Sequence, residues 1–372
     1  MRVLASLIFM NTKSKTVKSQ TKLQETCDSL SRLARQSGAG AKLPTVVQLR
    51  QTLGVGVNTL NDALTQLEDL HLITRRQGSG IYVSPTLRRT IALVCDPTIM
   101  HGAGISPVWQ MLLSYAQKRA ASEGETLEFH IANPWTQSEP FSSDLIRKLE
   151  DHHVNGIIGI GLIFEAVEHV ERIGIPFVAY AGAGTYTVSG DASKALQLGY
   201  AELMARGCRR IAIWNSATPG RPAFGAKRQM ERHRAAVEAC GGTFQPELVW
   251  DAHCIMPSPT LSPQEQGFQV AKEIFGAPAD KRPDGLYIND DMMTHGALIA
   301  FEQMNLKTGR DFHLATHANK GSGILQGRTS LILVEHDPAA IVEVLFDTIE
   351  RLMDNCDVPI PQILIPPTLR IV

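Results

Sequence analysis

Leu43 to Val83 reads LPTVVQLRQTLGVGVNTLNDALTQLEDLHLITRRQGSGIYV, and this stretch decides the fold. Thr45 after Pro44 is placed to cap a short helix ending near Leu53. Gly54 stops that helix, because glycine tolerates the left-handed backbone of a tight turn. A second helix follows, with Leu60, Leu64, Leu67 and Leu70 at helical spacing. Its other face carries Thr59, Asn61, Asp62, Thr65 and Gln66. Two extended runs, Leu72–Arg76 and Gly80–Ser84, are joined by Gln77-Gly78-Ser79, which suits a hairpin. Helix, turn, helix and hairpin in this order are expected to form a winged helix-turn-helix. Its second helix can enter a DNA major groove and its hairpin can reach the neighbouring backbone or minor groove. A first helix is expected over Thr21–Gln36, with Leu23, Cys27, Leu30, Leu33 and Ala34 on one face.

The segment resembles the DNA-binding domain of GntR-type bacterial transcription regulators. The resemblance is carried by Leu43-Pro44-Thr45, Leu49, Leu53-Gly54-Val55, Thr59-Leu60, Ala63-Leu64, Leu67-Glu68, Leu72-Ile73 and Arg75 through Val83. It implies DNA contacts from Thr45, Asn58, Thr59, Asn61, Arg75, Arg76, Gln77, Gly78, Ser79 and Gly80. The chain departs from the family where it matters most. Gly56, Val57 and Asn61 stand where the family places Ser, Arg and a further Arg, and His71 replaces a glycine. The usual arginine contacts to phosphate or guanine are therefore missing from this helix.

Charge follows the same division. Between Asn11 and Thr90 there are 12 Lys/Arg against 5 Asp/Glu, whereas the whole chain carries a net charge of −1, so the remainder is acidic. A basic head on an acidic body fits a nucleic-acid-binding domain attached to a sensor. At 372 residues two or three domains are expected, and 44% hydrophobic content with mean hydropathy near zero indicates a globular chain. The six cysteines form no CxxC pair and no zinc spacing, so free thiols in a reducing cytoplasm are expected. The apolar run Val3–Met10 is short for a signal peptide and is followed by Asn-Thr-Lys-Ser-Lys rather than a small-residue cleavage motif. No stretch is long enough to span a membrane. Residues 1–20 read as a disordered basic arm, 21–84 as the winged domain and 85–90 as a short linker.

From Ile91 the pattern changes to alternating strands and helices. Short apolar runs such as Ile91–Cys95, Val154–Ile160, Arg210–Trp214 and Gly285–Asn289 alternate with helical segments such as Val108–Ala121, Ser193–Arg206, Lys227–Cys240 and Met292–Gln303. This repetition implies an α/β core of doubly wound parallel sheets, and its length implies two lobes with a cleft between them. Ligands bind at the carboxyl ends of such strands.

Most of Thr90–Val372 resembles the sugar-sensing core of the lac-repressor/galactose-repressor family, which is built like periplasmic binding proteins. The matching pieces include Val154-Asn155-Gly156-Ile157-Ile158, Ile175-Pro176-Phe177-Val178, Gly207 to Ala212, Pro283-Asp284-Gly285, Asn289-Asp290-Asp291 and Leu364 to Leu369. A core of this kind behind a GntR-type head resembles the arabinose-repressor type of regulator. The resemblance implies three crossings between lobes, lobe one being 91–186 plus 337–356 and lobe two 187–336 plus 358–372. It also places effector-binding residues at Arg228 and Asp291, with Asn289 and Asp290 as alternatives, and an aromatic at Trp109. An N-cap of the following helix is the other role open to Asp290 and Asp291. Asp96 at the end of the first strand, His336 before the last crossing, and His317 and Asn319 are further cleft candidates. A sugar suits such a set, because planar polar side chains hold paired hydroxyls and an aromatic face covers C–H surface.

No GxSxG, Walker A or HExxH motif occurs, so no enzyme, cofactor or metal is expected. The expected protein is a cytoplasmic, homodimeric, ligand-responsive repressor of operator DNA, answering to a monosaccharide or derivative. Two rivals are a periplasmic sugar-binding protein and a sensor that has lost direct DNA binding.

Overall fold

The computed structural model describes residues 22–85, 88–99, 106–134, 139–217, 226–252, 260–354 and 356–372, with the backbone alone at 226–228. The basic arm expected over residues 1–20 lies outside them.

The head begins with helix α1 over residues 22–37. Leu30 and Ala34 are fully buried and Cys27 nearly so, which is the face its spacing predicts. Helix α2 is Val46–Leu53, and Thr45 closes a capping box with Gln48. The Gln48 amide donates to Thr45 Oγ1 at 3.4 Å and the Thr45 amide donates to Gln48 Oε1 at 2.9 Å. Gly54 ends the helix at φ 61°. Helix α3, Val57–Asp69, buries Leu60, Ala63, Leu64 and Leu67 against the other two. Leu70 does not join them. It is the C-cap of α3 and 67% exposed, because the helix stops one residue earlier than its leucine spacing suggests. The next residue, His71, takes a positive φ of 56°, the conformation for which a glycine is better suited. Strands β1 (Ile73–Arg76) and β2 (Gly80–Val83) pair antiparallel around Gly78, which has φ 74°.

Among the described residues the core has two six-stranded sheets. In the first, β3 (Thr90–Cys95), β4 (Thr126–Ile131), β5 (Gly156–Ile160), β6 (Phe177–Tyr180), β7 (Thr187–Gly190) and β13 (Gln362–Ile365) run parallel in the order β13-β7-β6-β5-β3-β4. The second sheet has the order β14-β12-β11-β10-β8-β9. It comprises β8 (Ile211–Asn215), β9 (Val249–Asp251), β10 (Gly285–Ile288), β11 (His313–Asn319), β12 (Leu331–His336) and an antiparallel β14 (Thr368–Ile371). Helices cover both faces of each sheet, as buried parallel strands require. On the first sheet α4 (Val108–Ser122) and α11 (Pro338–Met353) face α5 (Ser143–Glu150) and α6 (Phe164–Ile173). On the second, α7 (Ala192–Ala205) and α8 (Ala226–Ala239) face α9 (Pro263–Phe275) and α10 (Asp291–Gln303).

The lobe boundaries differ from the sequence reading. Thr187–Gly190 and Gln362–Ile365 hydrogen-bond into the first sheet, so both belong to lobe one rather than lobe two. The chain crosses at Asp191, at Asp337 and across Pro366-Pro367. The crossings are stitched together: the Asp191 amide donates to the Ile365 carbonyl at 2.9 Å, and Lys320 Nζ lies 2.9 Å from Asp337. Arg370 grips Glu335 with two hydrogen bonds of 2.9 and 2.6 Å. The linker is tied as well, since Arg89 pairs with Asp354 beyond α11 and its carbonyl accepts from the Thr126 amide at 2.8 Å.

Candidate nucleic-acid interface and effector cleft

On the head, Asn58, Asn61, Asp62 and Thr65 are exposed along α3, and Thr59 is half-buried beside them. Gln77, Gly78, Ser79 and Gly80 form the exposed tip of the wing. Thr45 is exposed, but its hydroxyl is occupied by the cap. The two wing arginines do different things. Arg75 is turned onto α3, where its Nε donates to Glu68 Oε2 at 2.7 Å and its Nη2 donates to Thr65 Oγ1 at 3.2 Å. The Arg75 amide donates to the same carboxylate at 2.9 Å, and these bonds hold Glu68 below the usual carboxylate range. Arg76, next along the strand, faces the other way, and its guanidinium sits 4.7 Å from the Tyr82 ring centre.

In the core, the predicted effector residues do not converge on one cavity. Asp96 is buried at the end of β3, where its Oδ1 accepts from the Thr98 amide at 2.8 Å. It borders a lobe-one cavity of about 180 Å³ with Asn133, Glu165, His169 and Arg172. Trp109 is half-buried on α4, edge-on to Tyr180 at 6.3 Å, and packs with the lobe-one core. Arg228 lies on α8, and its side chain is outside the described residues. The three others sit at the carboxyl ends of the second sheet. Asn289 borders a cavity of about 400 Å³ where the first crossing meets α7 and α8, together with Ser189, Asp191, Gln229, Arg232 and His233. Asp291 opens on a different cavity of about 290 Å³ with Asn319, Glu335 and Arg370, and its Oδ2 accepts from Asn319 Nδ2 at 3.1 Å. His336 is 4% exposed, its ring 5.0 Å from that of His317.

The capping alternative divides the two aspartates. Asp290 is the N-cap of α10, accepting from the Met293 amide at 2.7 Å and from Ser216 Oγ at 2.7 Å. Asp291 is the first helical residue and is left for Asn319. Burial raises both carboxyls, and for Asp290 the neighbouring Asp291 charge adds to it.

Sequence reasoning missed the polar floor beneath the larger cavity. His233 Nε2 accepts from Asn215 Nδ2 at 3.0 Å and from Gln229 Nε2 at 3.1 Å, while Asn215 Nδ2 also donates to Asp251 Oδ2 at 3.0 Å. Burial pushes the His233 imidazole down, against the opposing pull of Asp251. These residues come from β8, β9 and α8, so nothing local in the sequence joins them. Among the described residues no group of three or more His, Cys, Asp or Glu is placed to hold a metal, and no helix is long and apolar enough to cross a membrane.

Residues 32–83 match the bacterial regulatory proteins of the gntR family. No curated protein sequence matches the chain. Among solved structures, the transcription regulator CcpA of Lactococcus lactis is similar, with a TM-score of 0.58 and 18% identity over 76% of this chain and 98% of that one. The lac repressor dimer bound to operator and the anti-inducer ONPF has a TM-score of 0.58 and 15% identity, covering 76% of this chain and 92% of that one. A periplasmic binding protein/LacI transcriptional regulator from Alkaliphilus metalliredigens QYMF, complexed with D-xylulofuranose, has a TM-score of 0.54 and 16% identity over 76% and 97%. These likenesses define the fold of the core. The chain thus joins a head that matches the gntR family over residues 32–83 to a core with the fold of LacI-type regulators.

Proposed function

We propose that this chain is a one-component, ligand-responsive transcription regulator rather than an enzyme, working as a homodimer on operator DNA. One observation carries the reading: a gntR-type head is joined to a two-lobed core by a short linker that the Arg89–Asp354 pair ties to lobe one. A change in lobe orientation then reaches the head instead of being absorbed by slack chain. The ligand is a small polar molecule, a monosaccharide or derivative, held near the crossings where Asn289, Gln229, Arg232 and His233 border the larger cavity. By favouring one orientation of the lobes it changes the spacing of the two heads and so the affinity for paired half-sites. Such coupling is typically about 1–3 kcal/mol. A periplasmic sugar-binding protein has no use for the head, which argues against that rival.

The test is a gel shift on the region upstream of the chain's own gene, with and without a panel of pentoses and hexoses. A sugar-dependent change in the shift supports the proposal. Absence of any shift at low salt, where phosphate contacts are strongest, contradicts direct DNA binding.

A further inference from the structure

Helix α3 carries no Lys or Arg at all, and three of its thirteen residues, Asp62, Glu68 and Asp69, are acidic. A helix of that charge brings little attraction of its own to a polyanion, so phosphate binding must come from elsewhere on the head. Arg75 does not supply it, because Glu68 and Thr65 hold its guanidinium against α3. The opposite side of the hairpin does carry cations. Lys42 pairs with Tyr82 through a single antiparallel bridge, and its ammonium lies 5.7 Å from the Tyr82 ring centre. Arg76 covers the same ring at 4.7 Å, and Ser79 Oγ lies 2.8 Å from the Tyr82 hydroxyl. The aromatic ring thus holds two exposed cations side by side on the outer flank of the wing, lowering the freedom each would lose on meeting DNA.

We infer that the head grips the duplex backbone through Lys42 and Arg76 positioned by Tyr82, and that α3 reads adenine-bearing pairs through Asn58 and Asn61 rather than guanine. An Asn amide pairs with N6 and N7 of adenine, whereas guanine O6 and N7 call for a double donor such as Arg, which α3 lacks. Asp62, an acceptor only, adds at most a contact to cytosine N4. The inference rests on the DNA-binding reading proposed above.

Two measurements on the full-length chain test it. The first is binding to a random-sequence duplex over a range of salt. Lys42→Ala and Arg76→Ala each reduce the slope of log K against log salt by about 1 for every phosphate left without its cation, hence about 2 in a dimer, while Lys42→Arg and Arg76→Lys keep it. The second is selection from a randomised duplex library, which yields half-sites centred on A·T pairs, and Asn61→Ala loses that preference. Wild-type binding with unchanged slopes in both alanine variants, or a selected site centred on G·C pairs, overturns the inference. Wild-type chain that retains no duplex at any salt overturns the DNA-binding reading itself.

Discussion

Gly190 and His336 close against one another at the hinge. Gly190 ends β7 at the first crossing and His336 ends β12 at the second, and a Cβ built on Gly190 would stand 2.6 Å from both Cε1 and Nδ1 of the imidazole. Two of the three connections between lobes therefore touch through one ring, with no room for a methyl group. That ring lies beside His317, which itself faces Asp290 at the start of α10.

Gly190→Ala forces the two crossings apart. The expected cost is about 1–3 kcal/mol, the range for overpacking a well-packed site. Because the obstacle is the ring, combining it with His336→Ala recovers part of that loss. Chemical denaturation of the two single variants and the double variant measures the coupling. Strict additivity would show that the two residues do not meet.

The same close approach has a pH signature. Burial pushes the His336 imidazole down to about 4, with the His317 charge adding to it. An unfolded histidine titrates near 6.5. The folded pKa is the depressed one, so between these values the unfolded chain binds more protons and stability rises with pH. Acidification from about 6.5 to 4 costs up to about 3 kcal/mol from this residue. Unfolding free energy measured against pH should flatten over that window in His336→Asn, and an unchanged slope would remove His336 from the account.

His71 offers a gain. Its φ of 56° is costly for a residue with a Cβ, by about 1–2 kcal/mol, part of which glycine gives back as lost chain entropy. His71→Gly should stabilise the head by up to about 1 kcal/mol, read as a higher melting temperature of its transition. A lower one would mean that the imidazole makes an interaction worth more than the strain.

Much of this architecture is legible in the sequence, for identifiable reasons. Thr45 and Gly54 mark their helix because a cap and a left-handed turn need those residue types, and the alternation from Ile91 onward follows from burying parallel strands on both faces. The failures are equally local. Leu70 continues the helical spacing, yet the backbone leaves the helix before it. Strands β7, β13 and β14 are four residues each, and only the sheet that a strand joins reveals its lobe. Asn289 stands out beside Asp290-Asp291, whereas His233 acquires meaning only when folding brings Asn215 and Asp251 to it. Asp96 and Asp291, both suggested as effector ligands, border separate cavities in different lobes, a division that strand ends alone do not encode.

The central claim is that occupation of the core is felt by the head. The direct measurement takes each sugar that raises the melting temperature of the full-length chain and titrates the upstream DNA with and without it. The account predicts a change in DNA dissociation constant of about 5- to 150-fold, matched by the same factor in sugar affinity when DNA is bound. A sugar that stabilises the core while leaving DNA affinity unaltered would contradict it.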